Sequence, residues 1–149
     1  MSIRILIIVF LFAGAGCVAK PVKSQLLKTC LEIKEAAYLW EAFDNVYVGS
    51  FLLTFAESQP QLSRGKVLVG VVKKGTQLEV IQVLRGSNGS YGPFLRARVQ
   101  IQSGESQGIT ADVPSCVPYH PQPRVQTSCT LEPNELTFNE DLIVECRKI

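Results

Sequence analysis

Among 149 residues the chain holds one histidine, one methionine and one tryptophan, and neither charge sign is in clear excess. With His120 as the sole imidazole, there is little from which to build a proton-transfer or metal centre. No Cys-x-x-Cys, no His-x-x-x-His and no aspartate-rich calcium loop occurs, so the usual zinc and calcium spacings are missing. Residues 86–92 are glycine-rich but lack the Lys-Ser/Thr ending and following helix of a phosphate loop. Lys+Arg 15 against Asp+Glu 13 leaves a net charge of +2, whereas a nucleic-acid binder gathers a basic surplus. A cysteine hydrolase needs a thiolate, a base and an orienting group. Cys116 and His120 lie in a proline-rich stretch, where an extended chain separates them by about 12 Å. These absences argue against nucleic-acid binding, against a cofactor or metal, and against an enzyme.

Long apolar runs are also scarce, and the one present is informative. Residues 5–13 are apolar, preceded by Arg4 and followed by Gly14-Ala15-Gly16-Cys17. Spanning about 30 Å of hydrocarbon takes roughly 20 residues, so the run is too short for a transmembrane helix. Positive charge, apolar run and small residues in that order are those of a signal peptide. Cleavage before Gly16 fits the small-x-small pattern at Ala13-Gly14-Ala15, and cleavage before Cys17 is the alternative.

Gly14-Ala15-Gly16-Cys17 resembles the lipobox of bacterial lipoproteins, departing from it in having Gly14 where leucine is usual. The resemblance implies a diacylglycerol on Cys17 and a signal peptide of residues 1–16. It further implies localisation in the cell envelope, with Val18 in place of aspartate pointing to the outer membrane, facing the periplasm. Cysteine parity agrees, because lipidation of one of the five cysteines leaves Cys30, Cys116, Cys129 and Cys146 to pair in an oxidising compartment. Residues 17–25 read as a polar, proline-containing tether, and residues 26–149 as a single domain.

That domain reads as mainly β. Residues 31–39 alternate only loosely and leave helix and strand open. Residues 46–55 are rich in β-branched and aromatic side chains. Residues 67–72 form a short apolar strand, 73–76 a turn around Gly75, and 78–84 an alternating strand. Residues 85–93 read as a long polar loop, and 94–102 as a strand with Arg96, Arg98, Gln100 and Gln102 on one face. A turn at 103–106 and a short strand at 108–113 complete an expected antiparallel meander of four strands. Lys73-Lys74-Gly75-Thr76, the alternating strand after it, and the turn beginning Ser103-Gly104 resemble bacterial Src-homology-3-like barrels, best over residues 66–116. The resemblance implies a small antiparallel barrel, to which residues 117–149 add a disulfide-stapled C-terminal strand pair, 126–131 and 142–147, that either extends the barrel's sheet or forms a small appended hairpin.

Four cysteines allow three pairings. Cys30–Cys146 with Cys116–Cys129 ties the domain ends and closes the proline-rich crossover; Cys30–Cys116 with Cys129–Cys146 is the rival. Binding candidates are Arg96 and Arg98, which could meet an anionic partner, together with Trp40 and Tyr91. Tyr38, Trp40, Phe43 and Tyr47 lie close in sequence and could form a contact patch or pack in the core. The expected function is a non-catalytic, lipid-anchored envelope module that binds or scaffolds a protein or peptidoglycan partner. The alternative is a periplasmic inhibitor or immunity protein that blocks a lytic enzyme or toxin with a loop such as 86–93.

Overall fold

The computed structural model describes residues 19–42, 50–55, 66–88, 92–114, 125–128 and 136–147. Every regular element among them is a strand. The segment that left helix and strand open resolves into β2 (Cys30–Ile33) and β3 (Ala37–Ala42), separated by a bend at Lys34-Glu35. The good helix formers Glu32, Lys34 and Glu35 are overruled because Leu31, Ile33 and Leu39 are each needed in the core. β4 (Ser50–Thr54), β5 (Lys66–Val72), β6 (Gln77–Asn88), β7 (Gly92–Ile101) and β8 (Thr110–Asp112) follow. β11 (Ile143–Glu145) pairs with β2, giving the strand order β11-β2-β6-β7-β8-β4-β3-β5.

Two short connections give this sheet its shape. β2 and β3 lie far apart in strand order, yet only residues 34–36 join them; β5 and β6 are likewise joined only by residues 73–76. A few residues span little more than 10 Å, so the sheet must curl to bring those strands together. The result is an all-β, curled half-barrel. Ile33 fastens the curl, since its amide donates to the Thr76 carbonyl at 3.0 Å and its carbonyl accepts from Gly75 at 2.7 Å. Gly75 has φ +82°, a conformation that suits glycine. Leu31, Ile33, Leu39, Leu53, Leu78, Val80, Ala97, Val99 and Ile101 fill the concave side.

The expected meander is only partly present. β6–β7–β8 is antiparallel, but β5 pairs with β3 rather than β6, and β4 meets β8 in parallel. The turn at 73–76 therefore carries the chain from one part of the curled sheet to another instead of closing a hairpin. The long polar loop expected at 85–93 is also shorter. β6 runs to Asn88 and β7 starts at Gly92. Gly86 faces Phe94 in the ladder, and a Cβ on Gly86 would lie 2.6 Å from the Phe94 ring. The aromatic ring covers the glycine and lets a weak strand former stay paired.

The two chain ends bring further differences. Residues 20–22, inside the expected tether, form β1 (Lys20–Val22) and pair with β6. The C-terminal strands do not pair with each other. β9 (Gln126–Ser128) pairs with β10 (Thr137–Phe138) in a small second sheet, while β11 joins the main one. Gln126 couples the two sheets: fully buried, its Oε1 accepts from the Ala97 amide at 3.0 Å and its Nε2 donates to the Leu95 carbonyl at 3.3 Å. A side-chain amide thus continues the β7 ladder next to the point where the Val113 amide donates to the Ala97 carbonyl.

The Cys30–Cys146 disulfide is present, with Cα atoms 5.3 Å apart and the Cys146 amide donating to the Cys30 carbonyl at 2.9 Å. It excludes the rival pairing through Cys30–Cys116. Cys17, Cys116 and Cys129 lie outside the described residues.

Candidate functional site

Residues directly opposite one another in a ladder send their side chains to the same face. On the convex face one such row crosses six strands: Gln82, Arg98, Asp112, Leu52, Trp40 and Leu68. Arg98 and Trp40, far apart in sequence, therefore share a row. Three strand spacings of about 4.8 Å put their backbones roughly 14 Å apart. The row passes from polar and charged residues, Gln82, Arg98 and Asp112, to apolar ones, Leu52, Trp40 and Leu68.

At its charged end two guanidiniums converge on one carboxylate. Arg98 Nε donates to Asp112 Oδ1 at 2.6 Å and its Nη2 to Oδ2 at 3.1 Å, while Arg96 Nη2 lies 3.2 Å from Oδ2. Asp112 is fully buried, the Arg96 side chain is 4% exposed and that of Arg98 26%. The hydrogen bonding that Arg98 donates to Asp112 raises the Arg98 pKa; burial opposes this and the charge attraction adds to it. The alternation of β7 identified the shared face correctly, but that face is not solvated at Arg96. Both Arg96 and Arg98 meet this chain's own Asp112.

In the middle of the row Trp40 is buried, with its indole Nε1 donating to Thr54 Oγ1 at 2.9 Å. With Leu52 and the half-buried Tyr38 it forms a second apolar cluster, separate from the main core. Its ring packs instead of presenting a contact patch. Phe43, Tyr47 and Tyr91 lie outside the described residues, as does His120.

The row ends in the open at β5. Val67 is 56% exposed, Leu68 46%, Val69 48% and Val71 48%. Among the described residues β5 ends the strand order, and Val69 is an extra residue at a bulge opposite Leu39 and Trp40. Where β5 ends, a notch of about 100 Å³ is lined by Val71, Lys73, Thr76, Ser103 and Ser106. Lys73 there makes a 3.2 Å ion pair with Glu105, both largely exposed. Residues 67–72 read in sequence as an apolar strand, and the structure places that strand at an edge. The missed signal is the absence of alternation in a sheet whose strands are otherwise mostly half-buried and antiparallel.

Among the described residues no group of three or more histidine, cysteine or acidic side chains could hold a metal. Comparisons with protein-family models, curated proteins and solved structures find no match.

Proposed function

We propose that this protein is a non-catalytic cell-envelope lipoprotein, held by lipid on Cys17 at the outer membrane and facing the periplasm. Its β domain binds or scaffolds a partner in the envelope. The observation that carries the binding role is β5, an edge strand with four aliphatic side chains about half exposed. Natural sheets blunt such edges with charge, proline or a cover, because an open apolar edge recruits another strand. Here the bulge at Val69 is a blunting feature on the strand itself. A lipid surface would accept the aliphatic side chains but leave edge amides and carbonyls without hydrogen-bond partners. An extended protein segment satisfies both.

The inhibitor reading draws on a different feature, the β6–β7 hairpin. It remains paired to Asn88↔Gly92, with Ser87 and Pro93 exposed near its tip. Such a projection suits insertion into an enzyme cleft. The anchoring claim is tested by the intact mass of protein from a membrane fraction, beside a Cys17→Ser control. A mass beginning at Cys17 with a diacylglycerol adduct, lost in the control, is expected. An unlipidated mass beginning at Gly16 would defeat the anchored reading and favour a diffusible inhibitor.

A further inference from the structure

The pairing of β1 with β6 brings together charges that sequence position keeps apart. Lys20 lies directly opposite Arg85. Like charges facing each other across a ladder are destabilising, and residues 19–28 and 81–88 contain Lys20, Lys23, Lys28 and Arg85 with no carboxylate, the next acidic residue along β6 being Glu79 at the Lys28 end. All four are exposed. Lys28 reaches the same edge of β6, where its amide donates to the Val80 carbonyl at 2.8 Å. From Val80 to Arg85 along a strand is about 17 Å. The cations therefore form a stripe, with Leu27 (41% exposed) beside Lys28.

We propose that this stripe is a membrane-facing surface that rests on anionic lipid headgroups and fixes the orientation of the domain. The proposal builds on the lipoprotein reading, because its position depends on where the anchor enters. β1 begins at Lys20, so Val18 and Ala19 alone separate the stripe from Cys17. Two extended residues reach about 7 Å, within one Debye length of a charged surface at physiological salt. An anchor that short leaves the domain no room to turn away. Phosphate headgroups supply the charge that Lys20 and Arg85 lack between them, each basic side chain near an anionic surface contributing about 1 kcal/mol. Leu27 is placed to enter the headgroup layer. β5 is not hydrogen-bonded to β1 or β6, which leaves the partner-binding edge a separate element from the lipid-facing one.

The test is amine footprinting of the purified protein, read by mass spectrometry at each lysine. It is run with vesicles of phosphatidylglycerol and phosphatidylethanolamine, and with vesicles of phosphatidylcholine alone. Lys20, Lys23 and Lys28 should be protected several-fold on the anionic vesicles while Lys73 and Lys74 are not. That protection should vanish near 1 M salt, where the Debye length falls to about 3 Å, and weaken in Arg85→Glu. Equal protection of all five lysines, or protection that does not distinguish the two lipids, overturns the proposal. Failure here with lipid present on Cys17 leaves the anchor standing and removes only the orientation. Protection in protein that lacks the lipid keeps the surface and removes the anchor.

Discussion

At the scale of single residues, Asp112 carries the most weight. It holds Arg96 and Arg98 in a setting where it is wholly buried and Arg96 nearly so. Removing one member of a buried ion pair costs far more than the pair contributes, because the remaining charge stays desolvated. Asp112→Asn keeps the shape but leaves two guanidiniums facing a neutral amide. We expect a loss of about 3–5 kcal/mol in urea unfolding, with the transition still cooperative. A loss under about 1 kcal/mol, the value of an exposed pair, would mean that the cluster is solvated. The pH dependence has a definite sign. A cation whose pKa is raised on folding contributes stability at all lower pH and loses it only as pH climbs through the raised value. For Arg98, raised by its hydrogen bond to Asp112, that window lies in strongly alkaline solution. Its contribution should therefore be flat across neutral pH.

At the scale of elements, the β11 strand is the one most dependent on a covalent bond. It contributes Ile143 to the core through a ladder of only three pairs with β2. The Cys30–Cys146 bridge next to it spans 116 residues of sequence. A loop of that length lost from the unfolded ensemble corresponds to about 4–5 kcal/mol in the chain-entropy account, and removal of a native disulfide in small domains typically costs about 2–5 kcal/mol. The double variant Cys30→Ser/Cys146→Ser should lose stability in that range, and β11 amides should exchange faster than those of β6 and β7. Unchanged stability would show that the ladder alone secures the strand.

Strands were legible from sequence wherever one face is buried and the other wet, as in residues 78–84 and 94–102, because period-two alternation records that asymmetry. Pairing was not legible. Nothing in Lys73-Lys74-Gly75-Thr76 distinguishes a hairpin from a turn that crosses a curled sheet; the difference lies in Ile33, forty residues away, bonding to that turn. The arginine face shows the same limit. Alternation places Arg96 and Arg98 together but carries no information about Asp112, which arrives from β8 through pairing alone. The basic stripe was invisible for the same reason, since Lys20 and Arg85 become neighbours only through β1. Of the cysteine pairings, Cys30–Cys146 was reachable because joining the ends of a domain is the economical way to secure short terminal strands.

At the scale of the whole molecule, the two ends of the account meet in one arrangement. In the arrangement we propose, a short link from Cys17 sets the β1–β6 edge against lipid, and β5 is left to recruit a partner strand. The measurement that bears most directly on this is photo-crosslinking in intact envelopes from Val67, Val69 and Val71, with exposed Glu35 as the control site. The account predicts one discrete protein adduct from the β5 positions and none from Glu35. That adduct should be competed by a synthetic peptide of alternating valine and threonine, and not by the same peptide N-methylated at alternate residues. Adducts spread over many proteins, equal yields from Glu35, or equal competition by the N-methylated peptide would contradict strand addition at β5.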